Sequence, residues 1–157
     1  MDIKAESTTV LSALLKHMEF EAEVSATEDE ERITLEVSGP ETGLVIGKKG
    51  QTLDALQYLV NKIVSRATAA AGISEDDTKP INVDAEGYRS RRADTLIELA
   101  QRLAEKAKRT RQAVEVDPMS AADRRVIHVA LADVAGVTTQ SEGEGIYRHL
   151  VIIPTAE

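Results

Sequence analysis

The stretch Gly43-Leu-Val-Ile-Gly47-Lys48-Lys49-Gly50, followed by Gln51-Thr-Leu-Asp-Ala-Leu-Gln-Tyr-Leu-Val, decides how the first half of this chain is interpreted. An apolar turn ends in a Gly-Lys-Lys-Gly loop, and apolar residues at helical spacing follow directly. Glycines at both ends of the loop leave no Cβ to hold another backbone away. The beginning of a helix offers unpaired N–H groups and a positive dipole end, and the two lysines add formal charge. The loop is therefore suited to contact a phosphodiester backbone.

The elements predicted around this loop occur in the order helix, strand, strand, apolar turn, loop, helix, strand. Ser7 is expected to cap the first helix. Alternating apolar and polar residues predict strands over 20–26 and 32–37, joined by a charged turn. Gly72 is expected to end the helix after the loop in a left-handed conformation. Ile81-Asn-Val83 is a brief strand that either joins the first sheet or opens a second domain.

A Gly-x-x-Gly loop in this order of elements resembles the clamp of a type II KH domain. The resemblance implies that Gly47, Lys48, Lys49 and Gly50 hold the sugar-phosphate path of about four nucleotides. The bases would then lie over an aliphatic groove, whose candidate contributors are Leu44, Ile46, Leu53 and Ile33, although each of the four is individually better explained as core. The alternative is a tight turn with two solvated lysines. That alternative accounts for the glycines, but not for two cations beside a helix N-terminus, where the dipole disfavours them.

Two enzyme loops that bind phosphate do not fit the sequence. A Walker A loop needs four residues between its first two glycines and a Ser or Thr after the lysine. Only three residues separate Gly43 from Gly47, and Lys49 occupies the Ser/Thr position. The dinucleotide fingerprint fails as well, because Arg148 stands where the third glycine after Gly143-Glu-Gly145 should be.

A polar connector over residues 73–80 indicates a boundary between a domain over 1–79 and a domain over 80–157. The second part is expected to contain a long helix capped by Asp84, a helix over 121–133, and three short strands. Its most informative motif is Arg124-Arg-Val-Ile-His128, which places Arg124 and His128 on one helix face with Arg125 beside them. Taken alone, the motif is better explained as a satisfied histidine packed beside an exposed arginine.

In its context, the Arg-x-x-x-His motif resembles the R-3-H domain, a small binder of single-stranded nucleic acids. The resemblance implies that the Arg124 guanidinium holds a phosphate bidentately. It also implies that the His128 imidazole donates to an oxygen or fixes the arginine in place. The expected fold class is therefore α+β: a type II KH domain with helices on a small three-stranded mixed sheet, followed by an R-3-H domain with helices on another three-stranded sheet.

A KH domain followed by an Arg-x-x-x-His domain is similar to the Jag family of bacterial proteins, also called SpoIIIJ-associated or KhpB/EloR-like. The loop-to-helix stretch and the ending Ser141-Glu-Gly-Glu-Gly-Ile-Tyr-Arg-His-Leu-Val-Ile-Ile-Pro154 carry the likeness. The resemblance implies an RNA-binding regulator linked to cell elongation, division or sporulation, with a small single-KH protein as partner. Many members begin with a further amino-terminal domain. This chain starts at the KH helix, so functions tied to that domain are not expected here.

Composition limits the remaining classes of function. The chain has 157 residues, no Cys and 3% aromatic residues, which argues against a disulfide framework, a thiolate metal site and recognition built on aromatic platforms. The absence of a signal peptide or a long apolar run favours a cytoplasmic protein without membrane insertion. The net charge of −8 is uneven, since residues 1–46 carry 3 basic and 11 acidic side chains, whereas residues 81–128 carry 10 and 8. Local charge acts over about 8 Å at physiological salt, so a weakly basic centre is compatible with nucleic acid.

The leading hypothesis is a non-enzymatic binder of single-stranded RNA that uses two modules and needs no cofactor or metal. The alternatives are a single-stranded DNA binder and a protein-interaction scaffold that dimerises through its KH domain. An enzyme is the weakest hypothesis, because the three histidines, His17, His128 and His149, stand in no metal or triad spacing.

Overall fold

The computed structural model describes residues 1–156 and divides into two compact units, Met1–Arg89 and the residues from Ser90 onward. The first unit contains the helices α1 (Ile3–His17), α2 (Thr42–Ile46) and α3 (Gln51–Ala70), and the strands β1 (Glu23–Glu28), β2 (Ile33–Ser38) and β3 (Ile81–Ala85). The helix α4 (Tyr88–Thr110) begins at its end. The second unit adds β4 (Val114–Glu115), α5 (Ala121–Leu131), β5 (Val137–Glu142) and β6 (His149–Pro154).

The first sheet has the order β1-β2-β3 and is mixed, because β2 pairs antiparallel with β1 and parallel with β3. In β2 the alternate residues Ile33, Leu35 and Val37 are buried, as period-2 patterning predicts. They pack with an apolar stripe of α3 into one core, to which the stripe contributes Leu53, Leu56, Val60 and Val64. The turn between β1 and β2 is ordered by Asp29, whose carboxylate accepts the N–H groups of Glu31 and Arg32. These two hydrogen bonds lower the pKa of Asp29.

β3 belongs to the first sheet, and the first unit continues beyond it to Arg89. The Arg89 side chain donates from Nε to the Val83 carbonyl (2.9 Å) and from Nη1 to the Asp54 carboxylate (2.8 Å). The predicted boundary between residues 79 and 80 therefore lies ten residues before the division of the compact units. The connector has a polar sequence, but β3, which follows it, pairs with β2 and completes the first sheet.

The second sheet has the order β4-β6-β5 and is antiparallel throughout. α4 and α5 pack on one face of it, and their shared core includes Leu96, Ala104, Ile127 and Ile152. Both units thus have helices on a three-stranded sheet, and the predicted α+β class is confirmed.

Three predicted details of the elements are wrong. Asp2, not Ser7, caps α1, since its carboxylate accepts the Ala5 N–H; Ser7 lies buried within the helix, donating to the Ile3 carbonyl. β1 begins at Glu23 and not at Phe20. α4 begins at Tyr88 rather than beside Asp84, although the Asp84 carboxylate still accepts the N–H of Arg89 in the first turn (3.2 Å).

Candidate nucleic-acid interface

Three of the four residues of the Gly-Lys-Lys-Gly loop have positive φ. Gly47 has φ 71° and ψ −175°, Lys49 has φ 54° and ψ 27°, and Gly50 has φ 79° and ψ 11°. The Gly47 N–H donates to the Gly43 carbonyl (3.0 Å) and ends α2, and a single 3-10 turn over Lys48–Gly50 leads into α3. Lys49 is the loop residue for which a left-handed backbone is unusual, since its side chain carries a Cβ.

Both loop glycines are also required by close packing. A Cβ on Gly47 would overlap the Thr52 side chain and lie 3.0 Å from the Thr52 backbone nitrogen. A Cβ on Gly50 would lie 2.8 Å from Cε1 of the Tyr88 ring. Gly43 differs, because nothing lies within 4 Å of the Cβ that it would carry. The sequence indicates the need for glycine at positions 47 and 50, but it gives no sign that Thr52 and Tyr88 are the neighbours that impose it.

Lys48 and Lys49 are exposed, and within residues 1–156 neither ammonium group is paired with a carboxylate. α3 begins without a side-chain cap, since its N-cap residue is Gly50. The acidic residue in its first turn, Asp54, is bound by Arg89. Two exposed cations thus lie beside a helix N-terminus that no side chain of residues 1–156 caps. An anionic ligand would satisfy both the charges and the backbone N–H groups.

The four groove candidates separate into two pairs. Ile33 and Leu53 are buried in the core of the first unit, between the sheet and α3, so the favoured interpretation of these two as core is confirmed and neither lines a groove. Leu44 is 56% exposed, and Ile46 is half-buried at the edge of the core. Of the four candidates, Leu44 and Ile46 of α2 therefore remain as contributors to an aliphatic surface beside the loop.

The Arg-x-x-x-His residues lie on α5 as predicted, but the structure gives them different partners. Arg124 is half-buried and donates from Nη1 to the Met119 carbonyl (2.7 Å). His128 is exposed and shares a hydrogen bond between Nδ1 and the Thr139 hydroxyl (2.6 Å). Arg125 is exposed. The simplest expectation, a packed histidine beside an exposed arginine, is therefore reversed.

A side chain of the protein itself caps the start of α5. The Ser120 hydroxyl caps the helix by accepting the Asp123 N–H (3.2 Å). The Asp123 carboxylate is in turn bound by Nε and Nη2 of Arg92 (3.2 and 2.9 Å). Sequence reasoning did not identify Arg92, Met119 or Thr139 as partners of this region. The Ser-x-x-Asp spacing was the available signal for the cap, while nothing in the sequence indicated the other contacts.

Two further properties concern the described residues as a group. None of their helices is both long and apolar enough to cross a bilayer. Among residues 1–156, no three His, Asp or Glu side chains cluster as ligands of a metal ion would.

Comparison with known families agrees with the two units. Residues 7–74 match the KH domain of KhpA and KhpB proteins, and residues 94–154 match the R-3-H domain. The RNA-binding protein KhpB of Clostridium symbiosum is 40% identical over 136 residues, covering 87% of this chain and 58% of that protein. The protein of the same name from Bacillus subtilis strain 168 is 33% identical over 144 residues, covering 90% of this chain and 66% of that protein.

A more distant relative, the RNA-binding protein KhpB of Streptococcus pneumoniae D39, is 30% identical over 155 residues, which is 96% of this chain but 45% of that protein. The chain thus spans between about half and two thirds of the length of these curated relatives. They form a family of RNA-binding proteins with KH and R-3-H domains, and not a family of enzymes. With a KH domain of the KhpA/KhpB type followed by an R-3-H domain, the chain belongs to the KhpB (Jag) family.

Proposed function

We propose that this protein binds single-stranded RNA and acts as a post-transcriptional regulator in the cytoplasm. The observation that carries the proposal is the start of α3, where the exposed Lys48 and Lys49 stand beside a helix N-terminus with no side-chain cap. The names of the curated relatives agree with RNA as the ligand. The family resemblance further suggests a role in cell elongation or division and a small single-KH protein as partner.

The loop would act as a clamp on the sugar-phosphate backbone. With glycine at positions 47 and 50, a phosphate can approach the main chain, and the two lysines supply the opposite charge. Leu44 and Ile46 would lie beneath the adjacent bases, giving an apolar contact with little base preference. Sequence preference would then come from hydrogen bonds to base edges.

The second site would contribute through Arg124, Arg125 and His128. One nitrogen of the Arg124 guanidinium is bound to the Met119 carbonyl, and Nε and Nη2 remain to contact a phosphate. Arg125 is exposed on the same helix and adds charge. Because both sites are on one chain, a strand that reaches both should bind more tightly than either site alone allows.

Filter binding with oligonucleotides of increasing length tests this proposal. We expect an RNA of about ten nucleotides to bind much more tightly than one of four nucleotides. The gain should disappear when either Lys48 and Lys49 or Arg124 is replaced. The same series with deoxyribose distinguishes the alternative of a single-stranded DNA binder, which would bind the two sugars equally well. A wild-type protein that binds no single strand at low salt would contradict the proposal.

A specific observation favours the scaffold as a second candidate function. The exposed face of α3 carries Tyr58, Leu59 and Ile63, which are 62%, 43% and 40% exposed. An apolar helix face of this kind suits contact with a second KH domain, either in another copy of the chain or in a small single-KH partner. Sedimentation of wild type and of Ile63→Glu tests it: the wild type should associate and the variant should not, while RNA binding by the monomer is retained.

A further inference from the structure

The turn between β5 and β6 carries two apolar side chains that the second core does not use. Ile146 is 84% exposed and Tyr147 is 73% exposed. They are the most exposed of the large apolar side chains within residues 1–156. Single exposed apolar residues are common on protein surfaces, so exposure alone assigns no role. What distinguishes this turn is how firmly it is held and where it lies.

The turn is fixed by several hydrogen bonds. The Tyr147 N–H donates to the Glu144 carbonyl (3.2 Å), and Nη1 of Arg148 donates to the Gly143 carbonyl (2.9 Å). Nδ1 of His149 donates to the Tyr147 carbonyl (3.0 Å). A Cβ on Gly143 would lie 3.1 Å from that same carbonyl oxygen, so the close approach depends on glycine. A side chain presented from a fixed turn loses less conformational entropy on binding than one from a mobile loop.

The turn also lies at the end of the unit where Arg124 is anchored. The Arg148 carbonyl accepts the N–H of Met119 (3.2 Å), and the Met119 carbonyl accepts Nη1 of Arg124 (2.7 Å). A single residue, Met119, therefore bridges the turn and the arginine. A nucleotide strand whose phosphate contacts Arg124 would have its neighbouring bases within reach of the turn.

The charges around the turn do not indicate which ligand it would bind. Glu142 and Glu144 border it, and Arg148 is the cation that follows them in the sequence. An aromatic ring offers a different contact, because every base has a π-face that stacks on it whatever the sequence. The low aromatic content of the chain argues against a platform of several rings, but it does not concern a single exposed ring.

We propose that Tyr147 stacks on a base of the single strand that Arg124 contacts. The inference rests on the proposed function, since it presumes that the second unit binds a single-stranded nucleic acid. It adds a contact between the protein and a base to the contacts that the Arg-x-x-x-His residues would make with the phosphate. It also makes the affinity of the second unit less dependent on salt than that of the loop before α3, because stacking releases no counterions.

Affinity for a ten-nucleotide uridine RNA, measured at several salt concentrations, tests the inference with three variants. Tyr147→Leu should lower the affinity about fivefold or more, the effect expected for loss of one stacked base. Its salt slope and melting temperature should match those of the wild type. Tyr147→Phe keeps the ring and should bind within about twofold of wild type. Ile146→Ala, the matched control, removes an even more exposed apolar side chain from the same turn and should leave the affinity unchanged.

A direct signal comes from fluorescence, because the chain contains no Trp. In the variant Tyr147→Trp the single indole should be quenched when the uridine RNA is added. The control is Met18→Trp, at the C-terminal end of α1, where the native side chain is 41% exposed; its emission should change little.

Two outcomes would overturn the inference. If wild type binds the RNA, while Tyr147→Leu binds equally well and Tyr147→Trp is not quenched, the ring has no part and the proposed function stands. If wild type binds no single strand, both the inference and the proposed function fail.

Discussion

The helices α3 and α5 both begin close to cations, but their N-termini differ. Both helices carry in the first turn an aspartate that an arginine binds, Asp54 with Arg89 in α3 and Asp123 with Arg92 in α5. Of the two, α5 alone has a side-chain cap, the Ser120 hydroxyl. At α3 no side chain caps the helix, and Lys48 and Lys49 have no carboxylate partner within residues 1–156. A helix end that is already satisfied gains little from an external phosphate, whereas an unsatisfied one gains both hydrogen bonds and charge neutralisation. The first unit should therefore contribute more of the phosphate binding.

The largest expected effect comes from reversing the charge at α3. Lys48→Asp with Lys49→Asp should abolish RNA binding by the first unit without unfolding it, since both side chains are exposed. Any residual binding should have a salt slope lower by about 1.4, at roughly 0.7 per phosphate contact for single strands. Filter binding at several salt concentrations, with thermal melting by circular dichroism, measures both quantities.

The control makes the same change of charge elsewhere in the first unit. Lys4→Asp with Lys16→Asp, on α1, should reduce affinity only through the long-range field. If the loop variant binds RNA as tightly as wild type at low salt, α3 is not the phosphate site and the contrast with α5 fails.

The next effect concerns the backbone of the same loop. Gly47→Ala forces a Cβ into the Thr52 side chain at a positive φ, and should lower the free energy of unfolding by about 1–2 kcal/mol. RNA affinity should fall about tenfold or more, because the loop can no longer present its N–H groups. Gly43→Ala is the matched control, as its Cβ would meet nothing within 4 Å. Equal affinities for the two alanine variants would show that loop geometry is not what binds the strand.

A smaller effect is expected at Arg124, whose guanidinium serves two roles. Arg124→Ala should lower stability by about 1 kcal/mol, because the Met119 carbonyl loses a charged donor that is half exposed. It should weaken RNA binding by about 1–3 kcal/mol through the lost phosphate contact. Urea denaturation and RNA titration of the same variant separate the two losses. A fall in stability with unchanged affinity would make Arg124 a structural residue only.

The smallest effect is expected at His128. Its hydrogen bond to Thr139 is exposed, so His128→Ala should lower stability by no more than about 1 kcal/mol. Thr139→Val removes the same hydrogen bond but leaves the imidazole, and serves as the comparison. If RNA affinity falls in His128→Ala but not in Thr139→Val, the imidazole itself contacts the strand. Equal affinities in both variants and wild type would instead restrict His128 to packing on β5.

The loop before α3 could be predicted from sequence because its properties are local. Glycines at positions 47 and 50 signal positive φ, and two adjacent lysines in an apolar context signal exposure. The contacts of Arg124 could not be predicted in the same way. Its acceptor is the Met119 carbonyl, whose position depends on a hydrogen bond to Arg148 of a distant strand pair. Ile33 and Leu53 illustrate a third case: the sequence favours the core over a groove for apolar residues near a loop, but the packing of α3 on the sheet is needed to exclude the groove.

Residues 81–89 follow the polar connector but belong to the first compact unit. This restricts where recombination could exchange one domain for another. The family match for the KH domain ends at residue 74, yet the sheet is completed by β3, and Arg89 joins β3 to α3 by its side chain. α4, the longest helix of the next domain, thus begins within the KH unit. A recombination event at the polar connector would separate a strand and its arginine from the sheet that needs them. An exchange of the second domain that leaves the first domain folded would have to keep the first turn of α4. This turn would therefore be inherited with the first domain, although the rest of α4 belongs to the second.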